Sequence, residues 1–144
     1  MKTITKLSAC IFFLFAAACT KMQEVVLTNA SIAGTWKLDA TYADPGDGSG
    51  TYHPVTIATT NTITFKPDGK IETVGLDDSE NFLMHFSQYT TFAIKDSTTL
   101  IFKEPTDTTS QKYLYKIEGD KLTLIPAGPV MCIEGCGTRF QKQK

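Results

Sequence analysis

Two cysteines near the end of the chain are spaced so that their side chains could react with each other. Cys132 and Cys136 enclose three residues, the last of which is Gly135. Three-residue hairpin loops commonly need a left-handed residue at that place, and Gly supplies it. Cysteines opposite each other across such a hairpin lie within disulfide reach. We therefore predict a structural Cys132–Cys136 disulfide. A redox or metal-binding pair is the alternative, but no His lies near in sequence.

The other side chains with catalytic or metal-binding chemistry form no recognisable motif. His53 and His85 each stand alone in the sequence. Asp44, Asp47 and Ser49 lie in a Gly-rich loop, but the alternating ligands and distal Glu of a calcium loop are missing. There is no Gly-x-Ser-x-Gly nucleophile motif. We predict that the protein is not an enzyme and has no catalytic residue, metal site or cofactor.

The beginning of the chain has the pattern of an export signal. Lys2 and Lys6 precede an apolar run over residues 7–18, which is too short to span a bilayer permanently. The run ends in three alanines followed directly by Cys19. Small residues before a Cys resemble the lipobox of bacterial lipoproteins, although Ala16 stands where Leu is usual. We predict a signal peptide over residues 1–18.

Cys19 is then predicted to be the first residue of the mature chain and to carry acyl chains such as palmitate. Two or three chains anchor a protein stably where one does not. A tether over residues 19–31 would follow. Thr20 replaces the Asp that tends to retain such lipoproteins in the inner membrane, so we expect the outer membrane, facing the periplasm or the outside. The alternatives are lipidation at Cys10, which no apolar run precedes, and a simple secretory signal with Cys19 unmodified.

Length and composition favour one β-rich domain, predicted over residues 32–144. The chain has 144 residues, a length that suits a single domain. Its net charge is −1. Thr is abundant and Ala is scarce outside the leader, a composition typical of strands. No basic cluster is present, which excludes a nucleic-acid partner. Nothing in the sequence specifies an oligomeric state.

Alternation of apolar and polar residues predicts short strands joined by turns. Trp36 and Leu38 share one face of the first strand, and Pro67-Asp68-Gly69 is a strong turn. The predicted strands cover about residues 35–42, 61–65, 70–74, 81–86, 89–94, 99–103, 111–117, 122–124 and 137–141. No stretch has a sustained helical period. We predict an all-β fold, an antiparallel meander of about eight strands that hides its edges by closing into a barrel.

Several aromatic side chains are predicted to face the interior of this barrel. An eight-stranded barrel has room for side chains or for one small ligand, so these residues either fill the interior or line a pocket. The candidate ligand-binding residues are Tyr42, Phe65, Phe92, Tyr113 and Tyr115.

Gly34-Thr35-Trp36 at the start of the first strand, the meander and the single Arg139 together resemble a lipocalin. Residues 63–70 (ITFKPDGK), 115–124 (YKIEGDKLTL) and 135–140 (GCGTRF) are similar to the small lipocalin-like domains of Gram-negative lipoproteins. The resemblance implies structural roles for Gly34, Trp36 and Arg139, with Trp36 at the closed end of the barrel and the guanidinium of Arg139 across its ring. The chain has no room for the C-terminal helix of larger lipocalins, which argues against a large open ligand cup.

Three functions follow from these observations. The first is an outer-membrane-anchored lipoprotein that binds a small hydrophobic ligand. The second is a ligand-free protein-interaction or envelope-structural module of the same fold. The third is a hydrolase or inhibitor activity carried by loops. The predicted partners are the membrane, through the N-terminal lipid, and a small hydrophobic molecule.

Overall fold

The computed structural model describes residues 32–55, 61–76, 85–106 and 108–144. The predicted signal peptide, lipidated Cys19 and tether lie outside the described residues, as does most of the strand predicted over residues 81–86. No helix in the described part of the chain is long and apolar enough to cross a membrane.

Nine strands and one short 3₁₀ helix make up the described fold. The strands are β1 (Gly34–Ala43), β2 (Thr51–Pro54), β3 (Thr62–Phe65), β4 (Ile71–Val74), β5 (Thr91–Ile94), β6 (Thr99–Lys103), β7 (Ser110–Glu118), β8 (Lys121–Gly128) and β9 (Cys136–Lys142). The 3₁₀ helix Phe86–Gln88 precedes β5.

The strands form one antiparallel sheet in the order β4-β3-β1-β9-β8-β7-β6-β5, and β2 pairs with β1 beside β3. β2 pairs with Ala40–Ala43 and β3 with Gly34–Lys37, so the two lie end to end on the same edge of β1. They therefore act as one interrupted strand, and the sheet has eight positions around its circumference.

The sheet nearly closes on itself between β4 and β5. Lys70 and Thr91 form an isolated bridge. The N–H of Ile71 donates to Thr90 O at 2.8 Å, and the N–H of Phe92 donates to Gly69 O at 2.7 Å. The predicted all-β, eight-stranded antiparallel barrel is thus confirmed.

Three local predictions differ from the structure. β2 was not expected, because all four of its residues are exposed and carry no apolar alternation. β8 continues past Pro126 to Gly128, although Pro was expected to end it; Pro126 lies at a register shift between β7 and β8, where a missing N–H is tolerated. Phe86, expected in a strand, lies in the 3₁₀ helix.

A β-bulge in β1 decides which side chains face the interior. The register between β1 and β9 shifts between Leu38 and Ala40, so Asp39 has no opposite residue on β9. Before the bulge, Leu38 lies opposite the buried Phe140; after it, Tyr42 lies opposite Gly137. The extra residue reverses the alternation of β1, because side chains on a strand point to opposite faces in turn.

Candidate ligand site at the mouth of the barrel

The closed end of the barrel is built around Trp36, which is fully buried. Its indole N–H donates to Ile32 O at 2.8 Å, so the one polar atom of the side chain has a partner. Lys142 lies opposite Trp36 in the β1–β9 register, and its Nζ is 4.9 Å from the ring centroid. Gly34 has φ +125°, and a Cβ there would be only 3.3 Å from Lys142 Cε. Gly is therefore required where the chain enters the barrel.

Arg139 does not lie across Trp36 as the resemblance implied. It precedes the inward-facing Phe140 on β9, so it points to the outer wall. There its Nε donates to Asp39 Oδ2 at 2.6 Å, and its guanidinium carbon lies 4.5 Å from the ring centroid of Tyr52. The cation on Trp36 is Lys142, three residues further along β9 and hence on the opposite face.

Asp39 joins two cations on this outer wall. Lys121 Nζ approaches Asp39 Oδ2 at 3.4 Å, and Arg139 Nε contacts the same oxygen at 2.6 Å. Partial burial acts to raise the pKa of Asp39, but the hydrogen bond and charge of Arg139 and the charge of Lys121 outweigh it and lower the pKa. The bulge residue is thus held as a carboxylate that ties β1 to β8 and β9.

The interior of the barrel is filled by aromatic rings. Phe65 contacts Phe92 with ring centroids 5.0 Å apart, and Phe102 contacts Tyr113 at 4.8 Å. Phe86 packs between Tyr113 at 5.4 Å and Phe140 at 5.8 Å. All of these residues are buried. Packed rings of this kind leave no open cup in the centre.

The five candidate ligand-binding residues separate into three groups. Phe65, Phe92 and Tyr113 are buried in the core. Tyr115 is half-buried against its edge. Tyr42 does not face the interior: its ring lies 5.2 Å from that of Tyr52, and its hydroxyl donates to Asp44 Oδ2 at 3.3 Å. The bulge at Asp39, which single-strand alternation does not reveal, turned Tyr42 outward.

The end of the barrel opposite Trp36, where β8 ends and β7 and β9 begin, is here called the mouth. A small cavity of about 30 Å³ remains inside it. It has room for about one water molecule. Both polar and apolar side chains line it: His85, Gln88, Tyr89, Gln111, Tyr113, Pro126 and Val130.

Tyr113 and Gln111 give this cavity its polar character. Burial, with the neighbouring Tyr89 adding to it, raises the pKa of Tyr113 far above its ordinary value, so the hydroxyl stays neutral. Gln111 is almost fully buried, and its amide oxygen accepts the N–H of Val130 at 3.0 Å. Its Nε2 donates to Val130 O at 2.8 Å and to Lys112 O at 2.9 Å.

The sequence over residues 32–124 matches the family model described as a lipocalin-like domain. The match covers more than half of the chain and agrees with the closed Trp36 end and the eight-position barrel. The protein belongs to the lipocalin-like domain family. No curated protein and no solved structure matches the sequence significantly.

The lipocalin-like barrel carries a disulfide at the rim of its mouth. Cys132 and Cys136 are joined, with their Cα atoms 5.8 Å apart. Cys136 begins β9, and the bond closes the loop that follows β8. The two cysteines predicted to pair are thus at disulfide distance.

No metal-binding cluster of three or more His, Cys, Asp or Glu occurs within the described residues. The carboxylate of Asp44 is engaged by its own loop: it accepts the N–H groups of Gly46 at 2.8 Å, Gly48 at 3.1 Å and Gly50 at 3.2 Å. These bonds, led by that from Gly46, lower the pKa of Asp44. Asp44 therefore stabilises the β1–β2 turn of the lipocalin-like barrel.

Proposed function

We propose that the protein is a lipid-anchored lipoprotein of the outer membrane whose barrel binds one small apolar molecule at its mouth. The observation that carries the proposal is the position of Phe86. Five aromatic side chains among the described residues are fully buried: Trp36, Phe65, Phe86, Phe102 and Phe140. Of these, Phe86 alone lies outside a strand, on a helix of three residues.

Phe86 occupies the place that a ligand would take. Its ring packs on Phe102, Tyr113 and Phe140, directly beneath the rim of the mouth. A strand is held by ladders of hydrogen bonds on two sides, whereas the 3₁₀ helix is one turn of three residues, closed by the bond from Tyr89 N–H to Phe86 O at 3.1 Å. Displacing this helix therefore costs less free energy than opening a strand. When the helix moves, the Phe86 ring vacates an apolar space of its own size beside the 30 Å³ cavity.

The groups around this space suit an elongated apolar molecule with one polar end. Rings of the core would contact the apolar part, while Tyr113 and Gln88, which line the small cavity, supply a hydroxyl and an amide for the polar end. Such molecules are abundant in membranes, where Cys19 would place the protein. The apolar run over residues 7–18, Cys19 directly after it and Thr20 in place of Asp support this location.

The ligand proposal is tested by titrating a fluorescent long-chain polyene fatty acid into the purified wild-type protein and the Phe86→Ala variant. A ligand that binds Phe86→Ala does not have to displace the ring. We therefore expect its dissociation constant to be about tenfold lower than for the wild type, equivalent to about 1.4 kcal/mol. Phe65→Ala, which opens a hole at the other end of the core, is the matched control and should not tighten binding. Absence of binding to both the wild type and Phe86→Ala would refute the proposal.

The anchor is tested separately. Cys19→Ala should abolish palmitate labelling and release the protein from membranes. Unchanged labelling would show that Cys19 carries no acyl chain. Mass spectrometry of gently purified wild-type protein adds a check on the ligand: we expect a co-purified lipid-sized mass.

A protein-interaction module is the second candidate, because the outer wall carries an apolar depression. Leu114 on β7 and Ile125 on β8 are paired in register and are 45% and 39% exposed. They form the floor of a depression of about 450 Å³. Leu114→Asp should abolish cross-linking to a partner in cells while leaving fatty-acid binding unchanged. Equal cross-linking of the wild type and Leu114→Asp would argue against this face as a binding surface for a partner.

A further inference from the structure

The loop between β8 and β9 carries a cluster of exposed apolar side chains, here called the apolar tip and defined as Val130, Met131 and Ile133. They are 45%, 64% and 100% exposed. Only seven large hydrophobic side chains are exposed in the described parts of the chain. Three of them therefore fall within four consecutive residues, whereas exposed hydrophobics normally occur singly.

The fold holds the apolar tip in place and prevents it from collapsing onto the barrel. Val130 is fixed by two hydrogen bonds with the side chain of Gln111. At the other end of the loop, the N–H of Asp44 donates to Gly135 O at 3.0 Å. The disulfide of Cys132 closes the loop between these points. A rigid loop cannot bury its apolar side chains by rearranging, so their exposure persists until something covers them.

The shape of the apolar tip favours a bilayer over a protein pocket. Ile133 is fully exposed and protrudes, and the depression of about 420 Å³ beside it is lined by the loop itself, Met131 and Ile133 included, together with Ala43 and Asp44. A protein partner would need a concave site that accepts a protruding aliphatic group. The interfacial region of a bilayer accepts such a group without a preformed pocket.

The charges around the apolar tip specify the type of lipid. Residues 129–138 contain no Lys or Arg and one acidic residue, Glu134. Glu134 lies beside Gly46 of the β1–β2 loop. That loop also carries Asp44 and Asp47. An acidic rim is repelled by anionic headgroups. Within residues 129–138 the only formal charge is thus negative, so a zwitterionic or neutral surface suits the apolar tip better than an anionic one.

The geometry of the proposed anchor allows this contact, and this step rests on the proposed function. Ile32 enters at the closed end, and β1 runs ten residues from there to the mouth, about 33 Å at 3.3 Å per residue. The thirteen residues 19–31 reach at most about 43–47 Å when extended. The tether is thus long enough for the barrel to stand with its mouth on the bilayer that holds Cys19.

We infer that the apolar tip inserts into the interface of a zwitterionic bilayer and places the mouth of the barrel on the membrane. Val130 belongs both to the apolar tip and to the wall of the mouth cavity. Insertion therefore joins the acyl region of the bilayer to the ligand site, and the ligand class is a membrane lipid or a molecule dissolved among lipids.

The test measures quenching of an added tryptophan by brominated acyl chains. The mature lipidated Ile133→Trp protein is reconstituted into phosphatidylcholine vesicles with or without bromine on the chains. Leu114→Trp, on the outer wall, is the matched control, and the buried Trp36 gives the same background in both. We expect about a twofold loss of the added emission for Ile133→Trp, since interfacial groups reach 5–10 Å into the acyl boundary, and no loss for Leu114→Trp.

Equal emission from Ile133→Trp in both kinds of vesicle would overturn the inference and leave a protein as the occupant of the apolar tip. A second measurement separates this result from failure of the anchor. Protein without an acyl chain is added to the same vesicles, and quenching of Ile133→Trp should rise with lipid concentration. It should be weaker with anionic phosphatidylglycerol vesicles, and stronger binding to those vesicles would also overturn the inference.

Discussion

Lys142 covers one face of the Trp36 ring: its Nζ lies 4.9 Å from the indole centroid, and the two residues are direct partners across β1 and β9. The last strand therefore supplies the cation that closes the base of the barrel. The ammonium is attracted by the ring, and its aliphatic stem packs against the backbone of Gly34.

Removing the charge of Lys142 should weaken the base of the barrel. Lys142→Met keeps most of the aliphatic stem but loses the cation, so we expect unfolding in urea to become easier by about 0.5–1 kcal/mol. The emission of Trp36 should also shift, because the charge beside its ring is gone. Arg139→Met is the control and should leave Trp36 emission unchanged. A shift with Arg139→Met alone would contradict the assignment of the cation.

Asp39 should make stability fall in acid. Its pKa in the folded protein is lowered below the ordinary value of 3.8, chiefly because Arg139 and Lys121 outweigh the effect of burial. The stabilisation is therefore fully present above pH 3.8 and is lost as the pH falls through the lower folded value. The urea midpoint of the wild type should drop more between about pH 5 and about pH 3 than that of Asp39→Asn. Parallel pH profiles would show that Asp39 does not contribute.

The side chain of Gln111 should control the order of the loop at the mouth. Gln111→Leu removes both hydrogen bonds to Val130 and the bond to Lys112 O. We expect a loss of about 1–3 kcal/mol in unfolding free energy, because buried backbone groups lose their partners. Amide exchange at Val130 should accelerate, and exchange in β3 should not. Gln143→Leu, at an exposed position, is the control and should affect neither quantity.

The disulfide should stabilise the loop more than the whole domain. Cys132 and Cys136 close a ring of only five residues, so the entropic effect on the unfolded chain is at most about 2 kcal/mol. Cys132→Ser with Cys136→Ser should lower the melting temperature modestly. It should also weaken vesicle quenching of Ile133→Trp, because the apolar tip is no longer held open. Complete unfolding of the double variant would show a larger role than loop closure explains.

Strand alternation predicted the barrel well where each strand has one buried face. β6 matches its predicted bounds, and β7 and β9 extend one residue beyond theirs at each end. β2 escaped prediction because its residues are all exposed, so it carries no periodic signal. Its position is set by pairing with β1, which is a property of the fold rather than of the segment.

The site was harder to predict because it depends on register between distant strands. Unbroken alternation along β1 predicts that Tyr42 faces the interior with Trp36 and Leu38, whereas the bulge at Asp39 reverses the alternation and turns Tyr42 outward. The resemblance implies that Arg139, the single Arg of the chain, lies on Trp36, yet the residue that faces the indole is Lys142, three positions further along β9. The residues around Phe86 alternate like a strand, but in the structure Phe86 belongs to a 3₁₀ helix, and its ring packs into the core from there.

The pairing of β1 with β9 over seven residues has a consequence for how the chain acquires its structure. β1 cannot pair along this edge until β9 has been synthesised. A nascent chain that lacks β9 therefore exposes the unpaired N–H and C=O groups of that edge. Long-range contacts of this kind slow folding and leave intermediates prone to self-association. Cleavage just before Cys136 should therefore yield an aggregating fragment rather than a smaller stable domain.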